Sequence, residues 1–552
     1  MGLGLGRRAG LALLLLVAVA GVPGIRALRL ASSGRALRVA TLTASKRNLM
    51  QRSFQSNSFG EEGGPEPLLD DQPDLEGVIS TMGDLRRESS FLLQAGLIGL
   101  CTAIGVVVFK LSIQETSKLL YENLASVLPK PAFYWPQVLY PVIGAAVVSL
   151  LTYIRGQNIR RGVESIAQSI DCNQGQQGGY SLGDQVFRLA AAVATLGSGC
   201  SLGPEGPAVE IGAGLSRLVG SQNSARQQHH LFLAGTAAGV AAGFNAPIAG
   251  VFFAIECGNR FLKSNTVRLD EEAPDGPRGD IAAIVTAAAV AKVVVELGLK
   301  EKNALSIQGN LFAMESPLEL PLYLGLGVLS GIIAVSFTTL RDYLTIAMSG
   351  EGQGGEPKRV LSSIPLHFRP LLGGLLCGLA GLFYPQTVFV GYSTLDQLLA
   401  GKIHLDVAFL IQLLAIKIAL SSFSLASGLV GGVFAPSLFF GSIAGTAYHD
   451  IIVGFIGSLN ESSGVDLSPF IASAPAYATV GAACTLGALF RAPLTATILM
   501  LELTENHDIV IPVLLSSGIA GFLSEILRKK TTPPPLQPPP SIDSAINSVS
   551  AR

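Results

Sequence analysis

Apolar segments separated by short polar ones run through most of this chain. They occupy residues 89–112, 132–154, 183–200, 205–219, 229–244, 247–257, 280–298, 317–346, 362–384, 404–426, 433–457, 474–490, 492–503 and 508–527. Several are shorter than the ~20 residues that a full membrane span needs, and Gly or Pro interrupts many of them. Non-helical backbone at membrane depth is tolerated only where it is buried in protein or lines a cavity. The pattern predicts an all-α, polytopic membrane protein with broken helices around an internal site.

Composition supports this class and argues against others. Of the 552 residues, 49% are hydrophobic and only 14% are charged, against about 25% charged residues in soluble domains. The net charge of −1 offers nucleic acid no basic surface. The six cysteines are scattered without metal-type spacing, and no nucleophile or phosphate-loop motif occurs. We therefore expect no enzyme activity, no metal and no cofactor.

Both ends of the chain differ in composition from its apolar body. Residues 1–60 contain no Asp or Glu, and two arginines precede the short apolar run Leu11–Val22. A basic, hydroxylated stretch follows, so the whole is typical of a cleavable leader. Its two-part form resembles the leaders of plastids acquired by secondary endosymbiosis; a secretory signal or a mitochondrial presequence is the alternative. Residues 61–88 have the composition of an acidic linker, and 531–552 form a Pro-rich tail that favours extended backbone.

One segment, GSGCSLGPEGPAVEIGAG at Gly197–Gly214, places a carboxylate inside the apolar body. Proline suits the first turn of a helix, where a missing N–H costs little. An acid at membrane depth indicates a functional site. The segment therefore predicts a broken helix that begins beside Glu205, with a surface loop as the alternative. The residues around this acid are Gly203, Pro204, Gly206 and Pro207.

The two halves of the apolar body repeat each other. Gly235–Glu256 and Gly481–Glu502 share a Gly-to-Phe spacing of 9, a Phe-x-Ala-Pro motif and a Phe-to-Glu spacing of 12. Gly203-x-x-x-Pro207 likewise matches Gly432-x-x-x-Pro436. This is an internal repeat, which in membrane proteins is often inverted around a site near the midplane.

These motifs resemble those of the CLC family of chloride channels and chloride/proton exchangers over residues 89–530. They are GPEGP at 203–207, FNAPIAGVFFAIE at 244–256, GGVFAP at 431–436 and FRAPLTATILMLELTE at 490–505. The resemblance implies two inverted-topology repeats of broken, tilted helices, at 89–300 and 301–530, and a homodimer in the lipid bilayer. It is a resemblance to a plant or algal organellar member without CBS domains.

The resemblance also implies roles for particular residues. Glu205 would occupy an outer anion site as the gating glutamate, and helix N-termini would bind the anion. The implied anion-binding residues are Gly203, Pro204, Gly206, Pro207, Gly432, Val433, Phe434, Ala435 and Pro436, with Gln157 at the selectivity position of a first motif near Gly156. A Gln amide can donate a hydrogen bond to either anion, so this motif does not distinguish chloride from nitrate as the transported ion.

Three positions depart from the family pattern. Pro204 stands where a cation often precedes the gating acid, and Cys257 stands at the proton-relay position, which lacks a carboxylate. No Tyr follows Leu527, although the family uses one to close the inner side of the site. Lys417, upstream of the GVFAP motif, is expected to lend positive potential to the pore, to snorkel, or to pair with a buried acid.

The sequence thus predicts a chloride or nitrate channel gated by voltage or pH through Glu205. An anion/proton antiporter of the same family is the alternative, and a non-conducting membrane scaffold is a distant one. We expect a plastid membrane, thylakoid or envelope, with another endomembrane as the alternative. The Glu256 and Glu502 carboxylates, equivalent in the repeat, are expected to act as pairing or capping acids.

Overall fold

The computed structural model describes residues 75–124, 136–155, 162–171, 181–220, 223, 225–261, 278–299, 316–349, 361, 363–463 and 471–531. The predicted leader, the tail beyond residue 531 and Gln157 lie outside these residues. The chain divides into two compact units, Met1–Ser90 and Phe91–Arg552. Every tertiary contact given below lies within the second unit.

The described α-helices of seven residues or more fall into two successive sets of eight. The first set is α1 (Leu75–Lys118), α2 (Pro136–Arg155), α3 (Val163–Asp171), α4 (Leu182–Gly197), α5 (Glu205–Val219), α6 (Ala225–Phe244), α7 (Pro247–Phe253) and α8 (Arg278–Leu299). The second set is α9 (Leu320–Ser349), α10 (Arg369–Phe383), α11 (Tyr392–Leu399), α12 (Val407–Ser427), α13 (Phe434–Ser463), α14 (Ala474–Phe490), α15 (Pro493–Thr504) and α16 (Val510–Thr531). Helix α1 begins inside the segment that composition predicts as a linker.

Seven of the described helices are long and apolar enough to span a membrane, whereas α7, α10, α14 and α15 are apolar but shorter. Large apolar side chains such as Leu93, Phe383 and Phe522 are more than two-thirds exposed on the protein surface. Lipid tails solvate such groups as well as a protein core does. The chain is therefore a multi-pass membrane protein, as predicted.

The two sets repeat the same helix contacts. In the first set, α5 crosses α6 so closely at Gly212 and Gly235 that a Cβ on either glycine would collide with the other's carbonyl oxygen. In the second set, α13 crosses α14 in the same way at Gly441 and Gly481. Small residues allow this approach between helices in a membrane. These four glycines stand at equivalent positions of the sequence repeat, and the predicted all-α fold of two inverted repeats is confirmed.

The turns that break the helices also match. Asn245 links α6 to α7 with φ 62°, and Arg491 links α14 to α15 with φ 53°. Both residues adopt the left-handed conformation, which Asn tolerates better than Arg does. The Arg260 guanidinium holds the second turn by donating to the carbonyls of Phe490 (2.8 Å) and Arg491. The two Phe-x-Ala-Pro motifs that repeat in the sequence therefore also share the same backbone turn.

Candidate functional site

The N-termini of two broken helices meet at the boundary between the repeats. Helix α5 begins at Glu205, directly after Pro204, and α13 begins at Phe434. The loops before them run antiparallel, since the Gly203 N–H donates to the Gly432 carbonyl (2.9 Å) and the Gly432 N–H to the Gly203 carbonyl (2.6 Å). Helix N-termini carry unpaired N–H groups and a partial positive charge. The predicted pairing of GPEGP with GVFAP is thus a direct contact.

Glycine is required where these loops touch. A Cβ on Gly432 would lie within 2.5 Å of the Gly206 nitrogen and 2.9 Å of its Cα. A Cβ on Gly203 would collide with Oε2 of Glu205 and stand 3.1 Å from the Ala435 Cβ. The two helix ends can approach each other only because these positions lack side chains.

The Glu205 side chain lies between the two helix ends and is 2% exposed. Its Oε1 accepts a hydrogen bond from the Tyr392 hydroxyl of α11. The backbone N–H groups of Glu205 and Ala435 also face this carboxylate, and the Lys110 ammonium of α1 acts on it electrostatically. The carboxyl group thus occupies a position to which two helix N-termini, a hydroxyl and an ammonium all contribute positive potential.

A cluster of phenylalanines fixes the start of α13. The Phe434 ring is 4% exposed and stacks on Phe490, with ring centroids 3.9 Å apart. Phe253 and Phe244 pack against the same ring at 5.3 and 5.7 Å. Phe244 and Phe490 are the repeated phenylalanines of the two Phe-x-Ala-Pro motifs. The repeat therefore holds the N-terminus of α13 in position from both halves.

Lys110 compensates for the missing cation at Pro204. Its ammonium donates to the carbonyls of Gly243 (2.6 Å) and Ala242 (3.3 Å) at the C-terminal end of α6. It also acts on Glu205. Pro204 carries no charge, so the positive charge that acts on Glu205 comes from a helix distant in sequence. A lone Lys near the end of the apolar run 89–112 was a signal that could have found it.

Tyr392 is a site residue that sequence reasoning missed. It is separated from Glu205 by 187 positions, and no local pattern marks it. Gly391, with φ 88°, caps the start of α11 and delivers the ring to the acid. No Tyr follows Leu527 in the sequence. A tyrosine from another element, Tyr392 of α11, contacts the acid instead.

Lys417 anchors the loop that carries Tyr392. Its side chain is fully buried, and its ammonium donates to the carbonyls of Thr387 and Phe389, each at 2.9 Å. The Phe389 N–H in turn donates to the Gly199 carbonyl (2.9 Å) in the loop before α5. Snorkelling is therefore the wrong expectation for Lys417, and among the described residues it bonds backbone carbonyls rather than an acid.

The equivalent acids of the repeat cap each other's neighbouring helices. Glu256 accepts from the N–H groups of Leu494 (3.1 Å) and Thr495 (2.7 Å) at the start of α15. Glu502 accepts from those of Ile248 (3.0 Å) and Ala249 (2.7 Å) at the start of α7. Their structural role as capping acids is as predicted.

Cys257, at the expected relay position, is buried next to Phe490 of the phenylalanine cluster around Phe434. Its thiol is 4% exposed and donates to the carbonyl of Phe490 (3.6 Å). Among the described contacts of this thiol, none involves Glu205. The other position expected to line the path, Gln157, falls outside the described residues, so its role stays a prediction.

Comparison with known proteins agrees with this architecture. Residues 144–525 match the family described as voltage gated chloride channel. The chain is 34% identical over 455 residues to chloride channel protein CLC-e of Arabidopsis thaliana and 30% identical over 494 residues to CLC-f of the same plant. These matches cover 80% and 86% of this chain, but only 60% and 59% of the relatives' length.

Bacterial relatives and solved structures extend the match. The H(+)/Cl(-) exchange transporter ClcA of Salmonella arizonae is 27% identical over 80% of this chain and 86% of its own. A slow cyanobacterial Cl-/H+ antiporter has the same fold, with TM-score 0.62 and 21% identity over 79% of this chain and 94% of that one. A eukaryotic CLC transporter follows at TM-score 0.58 and 20% identity, over 79% of this chain and 71% of that one. With its two broken-helix ends and its repeat, the chain belongs to the voltage-gated chloride channel, or CLC, family.

Proposed function

We propose that this protein transports a small inorganic anion, chloride or nitrate, across a membrane and that Glu205 gates the path. The observation that carries the proposal is the position of the Glu205 carboxylate between the N-termini of α5 and α13. A carboxylate and a halide both need N–H or O–H donors and positive potential. In this proposal the side chain occupies an anion site in the closed state, and its protonation or displacement admits the anion.

The transport mode proposed here is a passive channel. An exchanger needs a second proton-carrying group that communicates with the gate. At the relay position the chain has Cys257, a buried thiol that bonds a backbone carbonyl. A buried thiol is a poor proton carrier near neutral pH. The antiporter remains the second candidate, since ClcA and the cyanobacterial structure are described as proton-coupled.

The test is anion flux from liposomes that contain the purified full chain, with internal pH recorded at the same time. A chloride gradient should drive chloride efflux with no change of internal pH when a potassium ionophore clamps the voltage. Proton movement in fixed proportion to chloride would replace the channel with the antiporter. Absence of flux for both chloride and nitrate would favour a scaffold that kept the fold and lost transport.

We further propose a homodimer in a plastid membrane. The plastid assignment is supported by the composition of residues 1–60 and is compatible with the plant origin of the two Arabidopsis relatives. Import of the labelled full chain into isolated plastids, with cleavage of the leader, tests the location. Cross-linking in liposomes tests the dimer. A chain that stays monomeric under conditions in which it transports anions would contradict it.

A further inference from the structure

The Tyr392–Glu205 contact is a polar contact between two elements that the family motifs do not connect. Glu205 is almost fully buried, and Tyr392 is partly buried against the core of the second repeat. An ionised carboxylate can only accept hydrogen bonds, so the Tyr392 hydroxyl is the donor to Oε1. The bond therefore exists in full strength only while Glu205 is ionised and in its present position.

The tyrosine is held independently of the acid. Gly391 turns the chain with φ 88°, and a Cβ there would stand 2.7 Å from the Phe439 ring. Lys417 binds the two carbonyls just before this turn, and the Phe389 N–H ties the same loop to Gly199. If the Glu205 side chain withdraws, this scaffold leaves the hydroxyl where it is. The donor then faces the position that the carboxylate has vacated.

We propose that Tyr392 is a positioning and anion-binding residue whose hydroxyl alternates between two acceptors, the ionised Glu205 carboxylate in the closed state and the transported anion in the open state. This inference rests on the proposed function and adds a specific ligand to it. A partly buried hydroxyl that loses its acceptor is destabilised, so the exchange keeps the donor hydrogen-bonded in both states. The anion takes over the hydrogen bond of the carboxylate that it replaces.

Two charged side chains among the described residues act on this contact. Lys110 of α1 acts on Glu205, and Asp396, one turn further along α11, acts on Tyr392. Both remain in a Tyr392→Phe variant, which removes one oxygen and keeps the ring. Any change in pH dependence is then attributable to the lost hydroxyl.

The first measurement compares chloride flux against pH for the wild type and Tyr392→Phe in liposomes. Without the hydroxyl the closed, ionised state is less stable, so the acid releases the site at lower proton concentration. The pH of half-maximal flux should rise by about one unit, which corresponds to the roughly tenfold effect of one charge-assisted hydrogen bond. Tyr384→Phe is the matched control, because its hydroxyl bonds Gln412 (3.1 Å) on the exposed surface. An unchanged midpoint in Tyr392→Phe overturns the positioning role.

The second measurement is chloride binding to the purified protein by calorimetry in a Glu205→Ala background. We expect Glu205→Ala to bind chloride and Tyr392→Phe/Glu205→Ala to bind it about tenfold more weakly. Equal affinities would overturn the anion-binding role while leaving the proposed function intact. No chloride or nitrate binding to Glu205→Ala, together with no flux through the wild type, would overturn the proposed function itself and this inference with it.

Discussion

Glu256 and Glu502 each cap a helix that belongs to the other half of the molecule. Glu256 ends the first copy of the repeated segment and binds the start of α15, while Glu502 ends the second copy and binds the start of α7. The exchange ties the two repeats together through backbone N–H groups that would otherwise lack partners.

Removing either cap should lower stability by a similar amount. Glu256→Ala and Glu502→Ala each delete two backbone hydrogen bonds at a helix N-terminus, and we expect a loss of about 1–2 kcal/mol for each. Thermal denaturation of the full chain in detergent measures the effect. Glu296→Ala, at an exposed position of α8, is the control and should leave the midpoint unchanged. If Glu502→Ala lowered the midpoint and Glu256→Ala did not, the two caps would not be equivalent.

Protonation of Glu205 should open the path. If the ionised carboxylate blocks the anion site, flux rises as pH falls, because the neutral acid no longer competes with the anion. Glu205→Gln mimics the neutral acid and cannot ionise. Its flux should therefore be high and independent of pH between about 5 and 8, whereas the wild-type carboxyl group ionises as pH rises. Liposome flux across this range measures both profiles. A Glu205→Gln variant that keeps the wild-type pH dependence would mean that another group gates the path.

Lys110 should contribute to anion attraction. Lys110→Gln removes the ammonium that acts on the Glu205 position, and we expect anion affinity to fall about five- to tenfold, as for an electrostatic term near 1 kcal/mol. Chloride titration in the Glu205→Ala background measures this directly. Lys292→Gln is the matched control, because Lys292 also donates to a carbonyl after α6, that of Asn245 (3.5 Å). Equal losses in both variants would indicate a capping effect on α6 and no contribution from charge.

The contact between the two loops should not tolerate a methyl group. Gly432→Ala places a Cβ against the Gly206 backbone, which must separate the N-termini of α5 and α13. We expect transport to be lost while the protein still inserts in the membrane. Gly454→Ala, within α13, meets nothing within 4 Å and should be neutral or slightly stabilising, because Ala favours helix over Gly by about 1 kcal/mol. Full flux through Gly432→Ala would rule out a binding site that needs this approach.

The sequence by itself determined the membrane class, the repeat and the two broken-helix starts. Apolar length, Gly/Pro interruption and spacing are local properties of the chain, so Glu205 and Gly432–Pro436 could be identified without a fold. The capping role of Glu256 and Glu502 followed from their equivalent positions in the repeat.

Only the tertiary structure decided which polar groups meet at the acid. Tyr392 and Lys110 come from two helices far from residue 205 in sequence, and neither carries a motif. Their convergence depends on how the helices pack, because a hydrogen bond requires two groups within about 3 Å and sequence spacing specifies no such distance across hundreds of residues. The candidate site is thus marked locally in the sequence, whereas its polar surroundings depend on packing.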